Sequence, residues 1–203
     1  MKSVLISTRP KLVEKICHKI GEDETGKAIY EKRIEVRNTA PQEVPFKCYI
    51  YETKGQYVKF THGAHTKYGY GRGKVIGEFI CDKVDKIMTL QHTYYNFLGV
   101  PLATTTEYCI WNDDLPQMCL TKKEIEEYGK GKTLYGWHIS DLKIYDKPKE
   151  LGDFKKHCHY KDRNSYCLAN ECEYYSDWTG ICCNWVERPP QSWMYVEDLG
   201  EEE

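Results

Sequence analysis

The stretch from residue 31 to 38, EKRIEVRN, crowds opposed charges around two aliphatic residues. Ile34 and Val36 alternate with charged residues, and this is the period of a half-buried strand. The charged side of that strand would carry three residues: Arg33, Glu35 and Arg37. A carboxylate on this side can accept a hydrogen bond from a base edge, and an arginine can donate two to a phosphate or carbonyl. Two interpretations are open: an ionic site for a polar ligand, or a solvated face of salt bridges that contribute little to stability.

Aromatic residues in glycine-flanked or loop-like segments are the second feature that suits nucleic-acid binding, because exposed rings stack on bases. The candidates are Tyr68, Tyr70, Tyr135, Trp137 and Trp193. The glycine- and tyrosine-rich stretch 59–74 is predicted to be a long mobile loop. A hairpin whose tyrosines cover one end of a barrel is the alternative. The net charge of −2 gives no overall attraction for nucleic acid, so binding would need a local patch.

Half of the ten cysteines fall within the last third of the chain, in a polar stretch with little apolar surface to bury. A structural zinc ion would stabilise such a segment. The predicted ligands are Cys158, Cys167, Cys172 and either Cys182 or Cys183, with His157 or His159 as substitutes. Their spacing lacks the paired CxxC motifs of typical zinc sites, so disulfides and unmodified thiols remain alternatives.

The opening residues contain an apolar run too short for a signal peptide, and no stretch approaches the length of a membrane span. We therefore expect a cytoplasmic protein that does not engage a membrane. In this compartment thiols stay reduced, which argues against a disulfide framework.

The elements that must position these residues are mostly strands. Strands are predicted over residues 3–7, 33–37, 46–51, 75–81 and 135–145, the last with a kink at Ser140. One helix is predicted over residues 10–20, and another from a capping box at Thr121 and Glu124 to Gly129. Gly77 marks a close backbone approach within its strand. This order predicts an α+β fold built on a small, curved, mostly antiparallel barrel, whereas residues 88–120 look irregular.

The chain resembles the ASCH family, which has the PUA-like barrel fold of several RNA-binding modules. The resemblance rests on the segments MKSVLISTRPKLVEKI, KRIEVR, FKCYIYETKG, GKVIGEF, YGKGKTLYGWHISDLKIYDKPKEL and RPPQSWMYVE, in the order of the family. The last two resemble a phage and prophage branch. The resemblance implies one PUA-like domain over residues 1–197, interrupted by a cysteine-rich insertion at 154–187 and followed by an acidic tail at 198–203. It also implies a cleft lined by the Lys-x-x-Glu-x-Arg signature, here Lys32, Glu35 and Arg37.

The resemblance therefore predicts an RNA- or nucleotide-binding module. Its ligand would be held by the signature strand and by aromatic side chains, with Arg33, Arg37, Tyr135, Trp137 and Trp193 as ligand-binding residues.

A small hydrolase is the alternative, because one branch of the family cleaves acetylated cytidine with a threonine, a lysine and a glutamate. Here the catalytic group would be Lys32, Glu35 and Glu78. Glu35 stands where that branch has its threonine, and a carboxylate cannot simply replace a hydroxyl nucleophile. Glu-activated water, with Lys32 polarising a carbonyl, would be needed instead. A ribonuclease that uses His62, His65 or His138 is a further alternative.

Overall fold

The computed structural model describes residues 2–62, 65–111, 113–158, 175–176, 181–182 and 184–200. These residues form many strands and few short helices, which confirms the predicted mostly-sheet α+β class. Contacts divide the chain into two compact units, one from residues 1–11, 46–80 and 142–203 and the other from residues 12–45 and 81–141. Among the described residues, no helix has the length and apolar character needed to cross a membrane.

The elements follow one another along the chain. In order they are β1 (Ser3–Thr8), α1 (Pro10–Cys17), β2 (Lys19–Glu22), β3 (Ala28–Tyr30), β4 (Ile34–Arg37), β5 (Phe46–Glu52), β6 (Gly55–His62), β7 (His65–Gly71), β8 (Val75–Cys81), β9 (Val84–Ile87), β10 (Thr89–Tyr95), β11 (Pro101–Tyr108), α2 (Asp114–Met118), α3 (Lys122–Gly129), β12 (Leu134–His138), β13 (Ser140–Lys149), a 3-10 turn (Leu151–Asp153), β14 (Tyr175–Ser176), β15 (Ile181–Cys182) and β16 (Trp193–Val196).

The first unit is built on a five-stranded sheet in the order β13-β8-β5-β1-β16. Strand β1 pairs in parallel with β5 and antiparallel with β16, so this sheet is mixed. Its closure into a barrel stays a prediction. Gly77 lies where a Cβ would stand 2.5 Å from the carbonyl oxygen of Lys143, which confirms the predicted close backbone approach.

Both ends of the predicted cysteine-rich insertion belong to the core of the first unit. Phe154 and Val186 are fully buried and are joined by a 2.8 Å hydrogen bond from the Val186 amide to the Phe154 carbonyl. They pack with five other buried residues: Leu5, Tyr49, Tyr51, Val75 and Val196. Most of the insertion itself lies outside the described residues.

The second unit contains the three-stranded sheet β4-β12-β9. One face of this sheet packs into a core made of Ile34, Val36, Ile87, Tyr108, Met118, Ile125 and Leu134. Helix α3 begins with the predicted capping box, in which the Thr121 side chain and the Glu124 carboxylate each bond the other's backbone amide. It ends at Gly129, as predicted, with Lys130 in the left-handed conformation as its C-cap.

The prediction of a mobile loop at residues 59–74 is wrong. Strands β6 and β7 pair antiparallel here, which is the hairpin of the alternative, but Tyr68 and Tyr70 are exposed and their covering of a barrel end stays a prediction. Gly69 lies opposite Tyr57, and a Cβ at Gly69 would come within 2.4 Å of the Tyr57 ring. The glycine therefore leaves room for a cross-strand aromatic ring, which stabilises a strand pair that shows no sequence periodicity.

Residues 88–120 are also more regular than predicted, because β10 and β11 form an antiparallel hairpin. The Asn96 side chain organises its turn by accepting hydrogen bonds from the amides of Leu98 and Val100, each at 2.9 Å. Gly99 completes the turn with a φ of 75°, which an L side chain rarely adopts.

Helix α1 ends at Cys17 rather than at the predicted residue 20, because strand β2 begins at Lys19.

Candidate functional site

Two charged and two aromatic side chains share one face of the sheet in the second unit. Strand β12 pairs antiparallel with β4 so that Trp137 lies opposite Glu35 and Tyr135 lies opposite Arg37. Residues directly opposite one another in an antiparallel pair project to the same face. The predicted alternation is confirmed, since Ile34 and Val36 belong to the core on the other face. The register thus brings Tyr135 and Trp137 onto the face of Glu35 and Arg37, and a ligand-binding role for these residues stays a prediction.

The carboxylate of Glu35 bridges two cations. Its Oε1 lies 2.8 Å from Nη2 of Arg37, and its Oε2 lies 3.3 Å from Nζ of Lys32. Nζ of Lys32 also donates hydrogen bonds to the backbone carbonyls of Ile34 and Met118, each at 2.7 Å. We call Lys32, Glu35 and Arg37 the charged row.

The charged row is buried instead of lying on a partly solvated or fully solvated surface. Lys32, Glu35 and Arg37 are 0%, 3% and 5% exposed, and the neighbouring Trp137 is 0% exposed. Buried charges persist only where counter-charges and hydrogen bonds replace water. The ion pairs and the two carbonyls supply this replacement, so a solvated salt-bridge face is wrong for these three side chains.

The carboxylate of the charged row is not fully satisfied. Within the described part of the chain, Oε2 of Glu35 accepts no hydrogen bond, although it is buried. Nζ of Lys32 lies 3.3 Å from Oε2 and compensates the negative charge of the carboxylate, but it donates no hydrogen bond to this oxygen. A buried oxygen of this kind calls for an explanation.

The structure gives Arg33, Glu78 and Trp193 partners outside the charged row. Arg33 is exposed, and its backbone amide and carbonyl bond Gln117 and Ile139, each at 2.9 Å. In the first unit, Glu78 is half-buried and accepts a 2.7 Å hydrogen bond from the hydroxyl of Tyr145. Trp193, in the same unit, is half-buried against Tyr195 in an edge-to-face contact at 5.1 Å. Their predicted part in one site with Lys32 stays a prediction.

The structure gives His138 a partner that the sequence did not indicate. Its Nε2 lies 2.6 Å from Oδ2 of Asp85, which also accepts a 2.7 Å hydrogen bond from Nζ of Lys83. Burial acts to raise the pKa of Asp85, but the hydrogen bonds from Lys83 and His138 outweigh it and hold that pKa below its ordinary value. The side chains of His62 and His65 lie outside the described part of the structure.

The predicted zinc site cannot be placed in full. Cys158 and Cys182 are half-buried, whereas Cys167, Cys172, Cys183 and His159 lie outside the described residues. Within the described ranges, no group of three or more histidine, cysteine or acidic side chains is arranged to hold a metal ion. A structural zinc at these cysteines therefore stays a prediction, and elemental analysis would test it.

No protein-family model and no curated protein matches the sequence. Among solved structures, the chain is similar to the crystal structure of ASCH from Zymomonas mobilis, with 15% identity, a TM-score of 0.46, and coverage of 97% of this chain and 88% of that chain. A tyrosine-to-phenylalanine mutant of the Z. mobilis protein gives 15% identity, a TM-score of 0.46, and coverage of 97% and 91%. A serine-to-alanine mutant of the Z. mobilis protein gives 15% identity, a TM-score of 0.45, and coverage of 97% of this chain and 89% of that chain. With scores this low, membership of this chain in the ASCH family stays a proposal.

Proposed function

We propose that this chain is an RNA- or nucleotide-binding module of the ASCH type, whose ligand binds at the sheet face that carries the charged row, Tyr135 and Trp137. The observation that carries the proposal is the buried Oε2 of Glu35, which accepts no hydrogen bond within the described residues. An ASCH-type cytoplasmic protein of phage or prophage origin would fit this function, and those attributes remain predictions.

Glu35 has the chemistry to select a nitrogen heterocycle. An amino or ring N–H group of a base can donate to Oε2, while Oε1 stays tied to Arg37 at 2.8 Å. Such a charge-assisted hydrogen bond is stronger than one between neutral groups. It is stronger again in a buried setting, because little water competes there. Glu35 would therefore favour ligands that present a donor and disfavour those that present only acceptors.

The aromatic side chains give the same face a place for a flat ring. Trp137 is fully buried opposite Glu35, whereas Tyr135 is half-buried opposite Arg37. A base that donates to Glu35 would lie near the half-buried ring of Tyr135, and stacking on an aromatic ring is worth roughly 1–3 kcal/mol per base. Tyr135 is the more accessible of the two, so we expect the ligand to contact it first.

The geometry of Lys32 favours binding over hydrolysis. An ammonium group has three donors. Two of them engage the carbonyls of Ile34 and Met118, and the third side of the group faces Glu35 at 3.3 Å. At most one donor is then left, beside the Glu35 carboxylate, whereas the hydrolase mechanism would require Lys32 to polarise a substrate carbonyl.

A ligand screen with product analysis tests the proposal. Thermal unfolding is measured with nucleosides, nucleotides, short single-stranded RNAs and DNAs of the same sequence. We expect at least one nucleoside, nucleotide or RNA to raise the melting temperature, because a ligand that binds only the native state stabilises it. The ligand should be recovered unchanged by chromatography. Recovery of a hydrolysed product would contradict a pure binding role, and the absence of any stabilising ligand would contradict the proposal itself.

A further inference from the structure

A cavity of about 190 Å³ lies in the second unit, on the sheet face turned away from Glu35 and Trp137. Its floor includes Ile34, Ile87 and Gly136. In the strand register these residues alternate with Glu35 and Trp137, and alternate residues of a strand project to opposite faces. The cavity is therefore a separate site from the charged row.

The floor of the cavity is apolar, and the cavity is deep here because Gly136 has no side chain. A Cβ at Gly136 would stand 3.0 Å from Cγ2 of Ile34 and 3.9 Å from Cδ1 of Ile87. A larger side chain at this position would project into the space between the two isoleucines. Met118 from helix α2 also lines the cavity and extends the apolar surface.

One wall of the cavity is polar. His138 and Asp85 both line it and are joined at 2.6 Å through Nε2 of the histidine. When the neutral ring donates from Nε2 to Asp85, its Nδ1 is an acceptor. Within the described residues, Nδ1 takes part in no hydrogen bond, so it is open to a donor from a ligand.

The charges around the cavity do not favour an anion. Lys83 is positive and Asp85 and Asp114 are negative, whereas Lys86 lies opposite Tyr135 in the register and projects to the other face. Lys83 is bound to Asp85 at 2.7 Å. A phosphate would find no surplus of positive charge here, so the cavity favours an uncharged ligand.

An exposed aromatic ring, that of Trp111, lies at the cavity. Trp111 lines the cavity and is 82% exposed. A large exposed indole beside a concave apolar surface is a suitable platform for stacking a flat ring.

We propose that this cavity binds one uncharged heteroaromatic ring, the base of a nucleoside or of unpaired RNA. The volume is below the roughly 300–1,000 Å³ of sites for drug-sized molecules, so it admits one ring system and leaves sugar and phosphate outside. Nδ1 of His138 accepts from a ring N–H or amino group, and Trp111 stacks on the ring, above the buried floor of Ile34 and Ile87. The inference rests on the proposed function for the source of the ring.

Nuclear magnetic resonance distinguishes the two sites, because Trp111 reports on the cavity and Trp137 on the face of the charged row. The probes are adenosine, uridine, a single-stranded RNA tetramer and inorganic phosphate at millimolar concentration. We expect the nucleosides or the tetramer to shift the indole signal of Trp111 and the ring signals of His138 saturably, and phosphate to shift neither. Shifts with nucleosides would show that the free base suffices. Shifts with the tetramer alone would identify RNA as the source of the ring.

The variant Gly136→Val places a side chain in the floor of the cavity, so the Kd of the nucleoside or the tetramer should rise about tenfold or more. Gly21→Val is the matched control, since a Cβ at Gly21 meets nothing within 4 Å, and should leave the binding constant unchanged. If Gly136→Val does not fold, Gly136→Ala serves with a smaller effect. Shifts confined to Trp137 would overturn the cavity inference and leave the proposed function standing. The absence of shifts at Trp111 and His138, or shifts that Gly136→Val leaves intact, would overturn it as well.

Discussion

Trp137 lies directly opposite Glu35 across the antiparallel strands β12 and β4, and both side chains are buried. The indole therefore shields from water a carboxylate that is held between Lys32 and Arg37. Shielding strengthens the ion pairs, but it also makes every unpaired atom costly. Glu35 is thus placed where a change in its partners has a large effect on stability and, in our proposal, on binding.

Replacing Lys32 with methionine should destabilise the protein strongly. The substitution keeps most of the volume but removes the donor to two backbone carbonyls and one of the cations beside Glu35. Breaking a buried ion pair by removing one partner costs about 3–5 kcal/mol, and we expect a loss of that size in urea unfolding followed by circular dichroism.

The matched control for this experiment is Lys123→Met. Lys123 is 84% exposed and 3.9 Å from Glu127, an arrangement worth only about 0.2–0.5 kcal/mol in a helix. Equal stabilities of Lys32→Met and Lys123→Met would show that the charged row does not stabilise the fold.

Gly77→Ala should lower the melting temperature, because its new Cβ would stand 2.5 Å from the carbonyl oxygen of Lys143, a backbone atom that cannot easily move. Overpacking of this kind typically costs about 1–3 kcal/mol. Gly21→Ala, also in a strand, meets nothing within 4 Å and should change the melting temperature little. If both variants have the melting temperature of the wild type, the backbone of Lys143 lies farther from Gly77 than described.

The local features of the fold could be predicted from the sequence, whereas the burial of the site could not. The capping box at Thr121 and Glu124 lies within one helical turn, and the alternation of Ile34 and Val36 lies within one strand, so neighbouring residues define both. The burial of Lys32 depends instead on the carbonyl of Met118, which is 86 residues away. No local sequence pattern encodes such a contact. From the sequence alone, a charged strand face is therefore expected to be solvated.

The strands of the β10–β11 hairpin are hard to predict for a related reason. They show no clear alternation of apolar and polar residues, and most of their side chains are exposed. The turn signal was present, however, in Asn96 and Gly99. Asparagine and glycine at such positions are typical of turns, so these two residues do indicate a turn here.

Cys81 should resist alkylation while Cys109 reacts. Cys81 is fully buried, and burial raises the pKa of its thiol to about 12, so almost no reactive thiolate exists near neutral pH. Cys109 is exposed. Treatment of the native protein with iodoacetamide near pH 8, followed by peptide mass mapping, should show modification at Cys109 and none at Cys81. Repetition in urea is the control and should modify both. Rapid modification of native Cys81 would contradict its described burial.

Glu31 should make stability depend on pH in the acid range. Hydrogen bonds from Lys15 and then His18 lower the pKa of Glu31 below its ordinary value. A lowered pKa in the folded state means that this stabilisation is present above the unfolded value of about 4.3 and is lost as pH falls through the folded pKa. The wild type should therefore exceed Glu31→Gln in urea stability near neutral pH, and the difference should shrink below about pH 4. A difference that stays constant over this range would contradict the assignment.

The central claim is that Glu35 binds a ligand, and RNA affinity tests it most directly. The Kd of a fluorescein-labelled single-stranded RNA is measured by anisotropy for the wild type, Glu35→Gln and Glu24→Gln. Glu24 is exposed in the connection between β2 and β3, so its substitution makes the same chemical change away from the charged row. Because Glu35→Gln also disturbs a buried ion pair, circular dichroism must show that it is folded under the assay conditions. Tyr135→Leu, which changes a half-buried ring and leaves the charges in place, is a second variant that avoids this disturbance.

We predict that Glu35→Gln raises the Kd by about 10- to 100-fold, corresponding to the roughly 1–3 kcal/mol of a charged hydrogen bond. Tyr135→Leu should also raise the Kd, and Glu24→Gln should leave it unchanged. If folded Glu35→Gln and Tyr135→Leu bind RNA as tightly as the wild type, the charged row is a structural ion pair and the proposed function is wrong.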